Sequence, residues 1–327
     1  VPFADAEDAA ATPTDVDNAP ENTATAVDIA AVADLGTTIY NNGVVKLTAD
    51  AKWALTADIT ISKLDLAGHS LTVTSKDAND KHTLTISSNE TTSLLVGGTG
   101  SKTLKLENVD FAVNSTSDTR TENTIDASAG AFYLVADNAD IALTQKGTIN
   151  DGANGGACII YAGDASKGKG SVFDLTNSDV AISSPTGVQV IYFKLAGSDL
   201  TYTNVNKTGS LAGYFELSGS STVKSDKTYV YAASVAGDLS FDAGELTIYP
   251  NKNNVDIADY WSNIASGMKM NSIIGNISAG NVTVAGPLNL DGTLAVSGTV
   301  TVSGVMTVDS GASVVGGKDA AIANNGK

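Results

Sequence analysis

The stretch FDLTNSDVAI at residues 173–182 is written again, in the same frame, as FKLAGSDLTY at residues 193–202. Each copy alternates apolar and polar residues, turns through a short polar segment, and alternates again. Alternation with a period of two puts one set of side chains on one face of a strand. The frame returns as LDLAGHSLTV (64–73) and LKLENVDFAV (104–113), and more loosely as FELSGSSTVK (215–224). Residues 132–143, FYLVADNADIAL, keep it with a longer turn. Gly68, Asn108, Asn177, Gly197 and Gly219 stand at the turns, and Gly and Asn tolerate a left-handed backbone best.

Hairpins use such turns too, so the spacing decides. Successive copies begin at Leu104, Phe132, Phe173, Phe193 and Phe215. The last two steps in that series are close to twenty, and the two before them are longer. A step near twenty accommodates three short strands and three turns, which is one rung of a solenoid. A single rung cannot bury its inner face, but rungs stacked on one another share a continuous core. The longer steps are rungs with loops thrown outward, at DTRTENTIDASAG (118–130) and NDGANGGA (150–157). The pattern predicts an all-β fold, a right-handed parallel β-helix over residues 37–250. Rungs of about 22 residues, about 4.8 Å apart, give on the order of ten rungs and ~50 Å of length. Leu64, Leu66, Leu104, Leu106, Phe173, Leu175, Phe193 and Leu195 are expected to face inward.

The stretch NNGVVKLTADAKWALTADITISKLDLAGHSLTV (41–73) resembles the opening rungs of right-handed, pectin-lyase-like β-helix surface proteins of bacteria and archaea. The resemblance extends over roughly residues 26–250. It implies a capping helix ahead of the first rung, which AVDIAAVADL (26–35) would supply, with Gly36 at its C-terminal stop. It says nothing of activity, since that superfamily holds lyases, adhesins and structural proteins alike.

Four segments follow. Residues 1–25 form an acidic arm and residues 26–250 the β-helix. Residues 251–272 carry an amphipathic helix, with Ile257, Tyr260, Trp261, Ile264 and Met268 on one face and Asn254 or Asp256 as its cap. That helix would lid the solenoid or dock on a neighbouring subunit. Residues 273–327 are a β tail rich in Gly, Val and Thr, with only Asp291 and Asp309 charged between Pro287 and Gly317. So little charge on so strand-prone a segment demands a cover, either the chain's own solenoid or another chain.

The chain has 327 residues and a net charge of −17, with 36 acidic against 19 basic side chains, of which Arg120 is the one arginine. Nucleic acid and anionic lipid are therefore unsuitable partners. No apolar run long enough to predict a membrane span occurs. The opening VPFADAEDAA reads as the start of a processed, exported protein, and the single Cys158, within the apolar run ACIIY, reads as buried packing.

Chemistry is sparse. A polysaccharide-cleaving site on this scaffold needs clustered acids, usually with Ca²⁺, and a basic partner. Arg120 has Asp118 and Glu122 as sequence neighbours in a polar loop, which reads as local charge pairing. Asp137 and Asp140 flank a turn and read as turn formers. His69 and His82 lack zinc-ligand spacing, and residues 77–80 lack the pattern of a calcium loop. Sequons at Asn89, Asn114, Asn206, Asn276 and Asn281 are no more than this composition yields by chance. No catalytic, cofactor or metal residue is assigned, and no cofactor is expected. The expectation is a secreted, non-enzymatic structural subunit at the cell surface, self-assembling head to tail into a filament or layer. The alternatives are an adhesin that binds cell-surface or matrix glycans and, after it, a polysaccharide lyase.

Overall fold

The computed structural model describes residues 26–29, 43–88, 92–98, 102–120, 123–127, 132–149, 158–161, 170–188, 191–205, 209–235, 240–248, 272–284, 288–318 and 321–324. Among these residues every element is a strand and every strand pairing is parallel. The architecture is a parallel β-solenoid with three faces.

The first face stacks Ala26–Ile29, Val44–Leu47, Lys63–Asp65, Leu94–Leu95, Ile125–Asp126, Cys158–Tyr161 and Gly187–Val188. The second stacks Ala51–Leu55, Leu71–Ser75, Lys102–Glu107, Phe132–Asp137, Ser171–Thr176, Ile191–Ala196 and Leu211–Ser218. The third stacks Ile59–Ile61, Thr83–Ser88, Asp110–Ser115, Ile141–Gln145, Val180–Ser184 and Asp199–Asn204. From Thr222 on, strands run through the corners: Thr222–Val235 serves the third face at Val223 and the second at Ala233. Ser272–Val284, Leu288–Val296, Thr299–Val302, Met306–Val308, Ser313–Gly316 and Ala321–Asn324 carry the same stack onward.

On the second face Trp53, Val73, Leu106, Ala136, Leu175, Leu195 and Leu217 lie in register on successive rungs. The chain between them lengthens and shortens again along the series, yet the register holds throughout. All seven point inward and all are buried. The eight residues expected inside are each 0 % exposed. The core is one column, and Phe173, Phe193 and Phe215 stack along it with ring centroids 5.5 and 5.4 Å apart. Aromatic contacts of this kind add to area burial.

The repeated segment forms the corner between the second and third faces. Asn108, Asn138, Asn177, Gly197 and Gly219 all have positive φ, from 47° to 65°. The register moves one boundary. Leu134, rather than Phe132, is the partner of Leu104 and Phe173, so the copy is LVADNADIAL at 134–143 and has no longer turn. LDLAGHSLTV at 64–73 turns at a different corner, between the first and second faces, where Gly68 packs backbone to backbone on Gly98.

The expected capping helix over 26–35 is corrected at its start. Ala26–Ile29 is a strand, paired in register with Val44–Leu47. Val27 and Ile29 favour extended backbone, and the edge of the first face offers their peptide groups a complete ladder. The remainder of that segment, the arm over 1–25 and the helix expected over 254–270 lie outside the described residues.

The corner makes a sharp prediction. Gly197 has φ +60°, and a Cβ there would sit 2.6 Å from Asn177 Oδ1. Gly197→Ala is expected to destabilise by about 1–2 kcal/mol or more. Asn177→Gly, which keeps the backbone conformation, should cost less. Denaturant midpoints of the two variants test this, and equal losses would contradict it.

Candidate functional site

Three ladders climb the corner between the second and third faces, and they are the most regular polar feature of the described residues. At the turn, the N–H groups of Asn108, Asn138, Asn177 and Gly197 donate to the carbonyls of Asp137, Thr176, Ala196 and Ser218 on the next rung. Asn138 Nδ2 also donates to Asn108 Oδ1 at 2.8 Å, and Asn108 Nδ2 to the Ala78 carbonyl at 3.0 Å. Inside, the Ala139, Ser178 and Ser198 N–H groups donate to the hydroxyls of Ser178, Ser198 and Ser221 at 2.9, 2.9 and 3.0 Å. Those hydroxyls donate in turn to the carbonyls of Thr176, Ala196 and Ser218. The three serines are buried yet satisfied, as buried polar groups must be.

Outside runs an aspartate ladder. Asp110 Oδ1 accepts the Asp140 N–H at 3.0 Å, Asp140 Oδ1 the Asp179 N–H at 3.0 Å, and Asp179 Oδ1 the Asp199 N–H at 2.9 Å. Asp199 Oδ1 closes the series on Thr222, accepting from its N–H at 3.0 Å and its hydroxyl at 2.7 Å. Lys81 Nζ lies 2.6 Å from Asp110 at the other end. These aspartates edge a groove of about 470 Å³ on the third face, floored by Ala112, Ala142 and Ala181. The sequence analysis does not find this ladder, although a signal for it is present. Four of the five corner copies hold Asp at the seventh position, as Asp110, Asp140, Asp179 and Asp199, and the fifth holds Ser221.

The candidate residues disperse rather than converge. Asp118 pairs with Lys146 at 2.8 Å, and Arg120 lies on a two-residue strand beside Thr148–Ile149. Glu122 is outside the described residues. Asp140 belongs to the ladder, whereas Asp137 gives its main-chain carbonyl to the turn. His82 sits 3.7 Å from Asp58 and 3.4 Å from Asp80, and His69 3.8 Å from Asp50. Cys158 is buried, with Sγ 3.6 Å from Asn123 Oδ1. Of the sequons, Asn281 uses its amide oxygen on the Thr299 N–H, while Asn276 is exposed. No group of three or more His, Cys, Asp or Glu suited to a metal ion occurs among the described residues.

A second polar column lies outward on the second face, where Asp174, Lys194 and Glu216 occupy one register position on successive rungs. Tyr192 donates its hydroxyl to Glu216 and packs on Tyr214, centroids 4.4 Å apart. Both tyrosines are buried, and desolvation first, then the Glu216 carboxylate, holds their hydroxyls well above the ordinary phenol range. Desolvation also raises Asp174, with Lys194 opposing and Glu216 reinforcing the shift. Within this column Lys194 is exposed, and Asp174 and Glu216 are half-buried.

The third feature is the C-terminal end of the core. Leu290 and Val300 are 0 % and 3 % exposed, but their register partners Val308 and Ile322 are 45 % and 69 % exposed. Inward positions that are sealed on the preceding rungs are open here. Among the described residues nothing pairs with the outer edges of Met306–Val308, Ser313–Gly316 or Ala321–Asn324. The other end differs: Val45, Leu47, Trp53, Leu55, Ile59 and Ile61 are no more than 2 % exposed.

Comparisons with protein-family models, curated proteins and solved structures find no match to this chain. No helix among the described residues is long and apolar enough to cross a membrane.

The two charged columns respond differently to substitution. Asp179→Ala removes the acceptor of the Asp199 N–H and should cost about 1 kcal/mol. Asp179→Asn keeps that oxygen and removes a charge from a row spaced at about 5 Å, where neighbours repel by roughly 0.8 kcal/mol in water. It should be neutral or stabilising, more so at low salt. Melting temperatures of both variants at two ionic strengths test this; equal losses at both would refute the ladder's role. For Asp174, a raised folded-state pKa means the folded chain holds the proton more tightly than the unfolded chain. Stability is then lost as pH rises through the ordinary carboxylate range and above. Asp174→Asn should flatten that part of the pH–stability profile, and an unchanged profile would count against the desolvation argument.

Proposed function

We propose that the chain is a secreted structural subunit that assembles head to tail into an extracellular filament or layer, without enzymatic activity. The observation that supports this reading is the exposure of Val308 and Ile322, in register with the buried Leu290 and Val300. An apolar cross-section bordered by unpaired strand edges invites a further strand. A contact between unlike ends is heterologous and propagates unless rotation closes a ring. The finer fold assignment belongs to the same proposal: a right-handed coil of the pectin-lyase-like kind. It is supported by the near-universal handedness of parallel strand crossovers and by the 41–73 resemblance.

A second reading, an adhesin taking surface or matrix glycans, is favoured by the groove along the third face. Negative-stain microscopy separates the two. The intact protein should form filaments of uniform width, and Val308→Glu with Ile322→Glu should abolish them while leaving the circular dichroism spectrum unchanged. A protein that stays monomeric at high concentration, or a doubly substituted one that still polymerises, would overturn the structural reading. Incubation with pectate or alginate and Ca²⁺ should release no new chain ends.

A further inference from the structure

We infer that the groove of the third face binds a linear polyamine, ammonium groups joined by methylene spacers, lying along the solenoid axis. The inference is independent of the head-to-tail reading. Three observations lead to it.

The lining comes first. On the third face Ala112, Ala142, Ala181 and Thr201 share one outward register position on successive rungs. The next outward position carries Asn114, Thr144, Ser183 and Thr203, and the aspartate ladder stands on the other side. Alanines between two taller rows leave a trough of about 470 Å³ that runs along the axis. Its floor is methyl groups and its wall is carboxylates. Apart from the hydroxyls of Thr83 and Thr201, no lining side chain donates a hydrogen bond. A sugar needs donors as well as acceptors. The ligand that suits this lining brings donors and apolar carbon of its own, as ammonium groups on a methylene chain do.

The second observation is an ammonium already held by the ladder. Lys81 Nζ lies 2.6 Å from Asp110 Oδ1, the oxygen that also accepts the Asp140 N–H. The row therefore takes an alkylammonium without giving up its backbone bond. Among the described residues no cationic side chain lies within ion-pair distance of Asp140, Asp179 or Asp199. Asp140 and Asp179 are exposed and Asp199 is half-buried. Each commits Oδ1 to a backbone N–H, which leaves Oδ2 for a ligand. Beyond Thr201 the floor position passes to the exposed Lys224. Lysines thus bound a run of three carboxylates that lack a cation among the described residues.

The third is spacing. Rungs stack about 4.8 Å apart, so the three carboxylates span about 10 Å. With bonds near 1.5 Å, two nitrogens joined by three methylenes lie about 5 Å apart when extended. A triamine with three-carbon spacers therefore sets one ammonium on each carboxylate while its methylenes run over Ala142 and Ala181. Charge-assisted hydrogen bonds hold the nitrogens. Contact of the methylenes with the floor adds a term that a simple counter-ion does not gain.

Titration calorimetry of the intact protein with bis(3-aminopropyl)amine, at about 0.15 M salt, reads the site. Saturable binding of one triamine per chain is expected. Asp140→Asn with Asp179→Asn keeps both Oδ1 acceptors, removes two charges and should weaken binding about tenfold. Ala142→Leu with Ala181→Leu fills the trough at unchanged charge and should weaken it at least as much. Asp137→Asn with Asp309→Asn removes two exposed charges elsewhere and should leave affinity within about twofold. Thermal melts check that each variant folds, and if one doubly substituted groove variant does not, the other still decides. Absence of saturable binding, or a leucine variant that binds like the parent, would overturn the site. So would equal affinity for bis(6-aminohexyl)amine, whose spacers miss the rung repeat. Displacement of the triamine by a neutral oligosaccharide would overturn the polyamine assignment in favour of the glycan reading.

Discussion

At the corner between the second and third faces, peptide groups borrow their partners from the next rung. The Asn108, Asn138, Asn177 and Gly197 N–H groups all donate across rungs. Each of these corner residues also adopts a left-handed backbone, which turns the chain from one face to the next. Everything else stands on that condition. When the corners align, the strands between them are brought into parallel register, and inward residues such as Phe173, Phe193 and Phe215 stack in one column. A misplaced corner would shift register by one residue and reverse every side chain on the following strand. The serine and aspartate ladders on either side of the turn brace the same joint from inside and outside.

Much of this is legible in the sequence because a solenoid writes its geometry locally. Apolar residues two apart and a Gly or Asn at the turn are readable in ten letters, and stacking makes the reading at one rung valid at the next. What is not legible has physical causes. FYLVADNADIAL frames equally well from Phe132 or Leu134 because both are inward, and alternation alone does not say which begins the copy. Ala26–Ile29 reads as helical beside its Ala-rich continuation, but a strand edge to pair with is a tertiary fact absent from a window of ten residues. The aspartate ladder stays hidden because Asp in a turn has a local explanation, whereas its actual partners lie on neighbouring rungs. The low charge of the tail signals that it needs a cover, but it does not single out Val308 and Ile322, which read like any other inward valine and isoleucine.

The charge distribution becomes intelligible on this frame. A net charge of −17 would disfavour close approach of identical chains from the side. The aspartates of the third face concentrate part of that charge in a line along the axis, with their inner oxygens committed to backbone N–H groups. Salt therefore acts on the two kinds of contact differently. Lateral approach is governed by screened repulsion and eases as ions are added. The proposed axial joint, of main-chain bonds and apolar side chains, would have little charge to screen.

Among the described residues the two ends of the solenoid are unlike. At the first rung, Trp53 and its neighbours are sealed. At the last, the inward row passes from Leu290 at 0 % exposure to Val308 at 45 % within a single rung. A column that buries its inner residues throughout, then leaves the final ones in water, forgoes roughly 1 kcal/mol or more for each large apolar side chain so exposed. In the head-to-tail assembly proposed above, contact with a second copy would recover that energy, and a contact between unlike ends would give the assembly a direction.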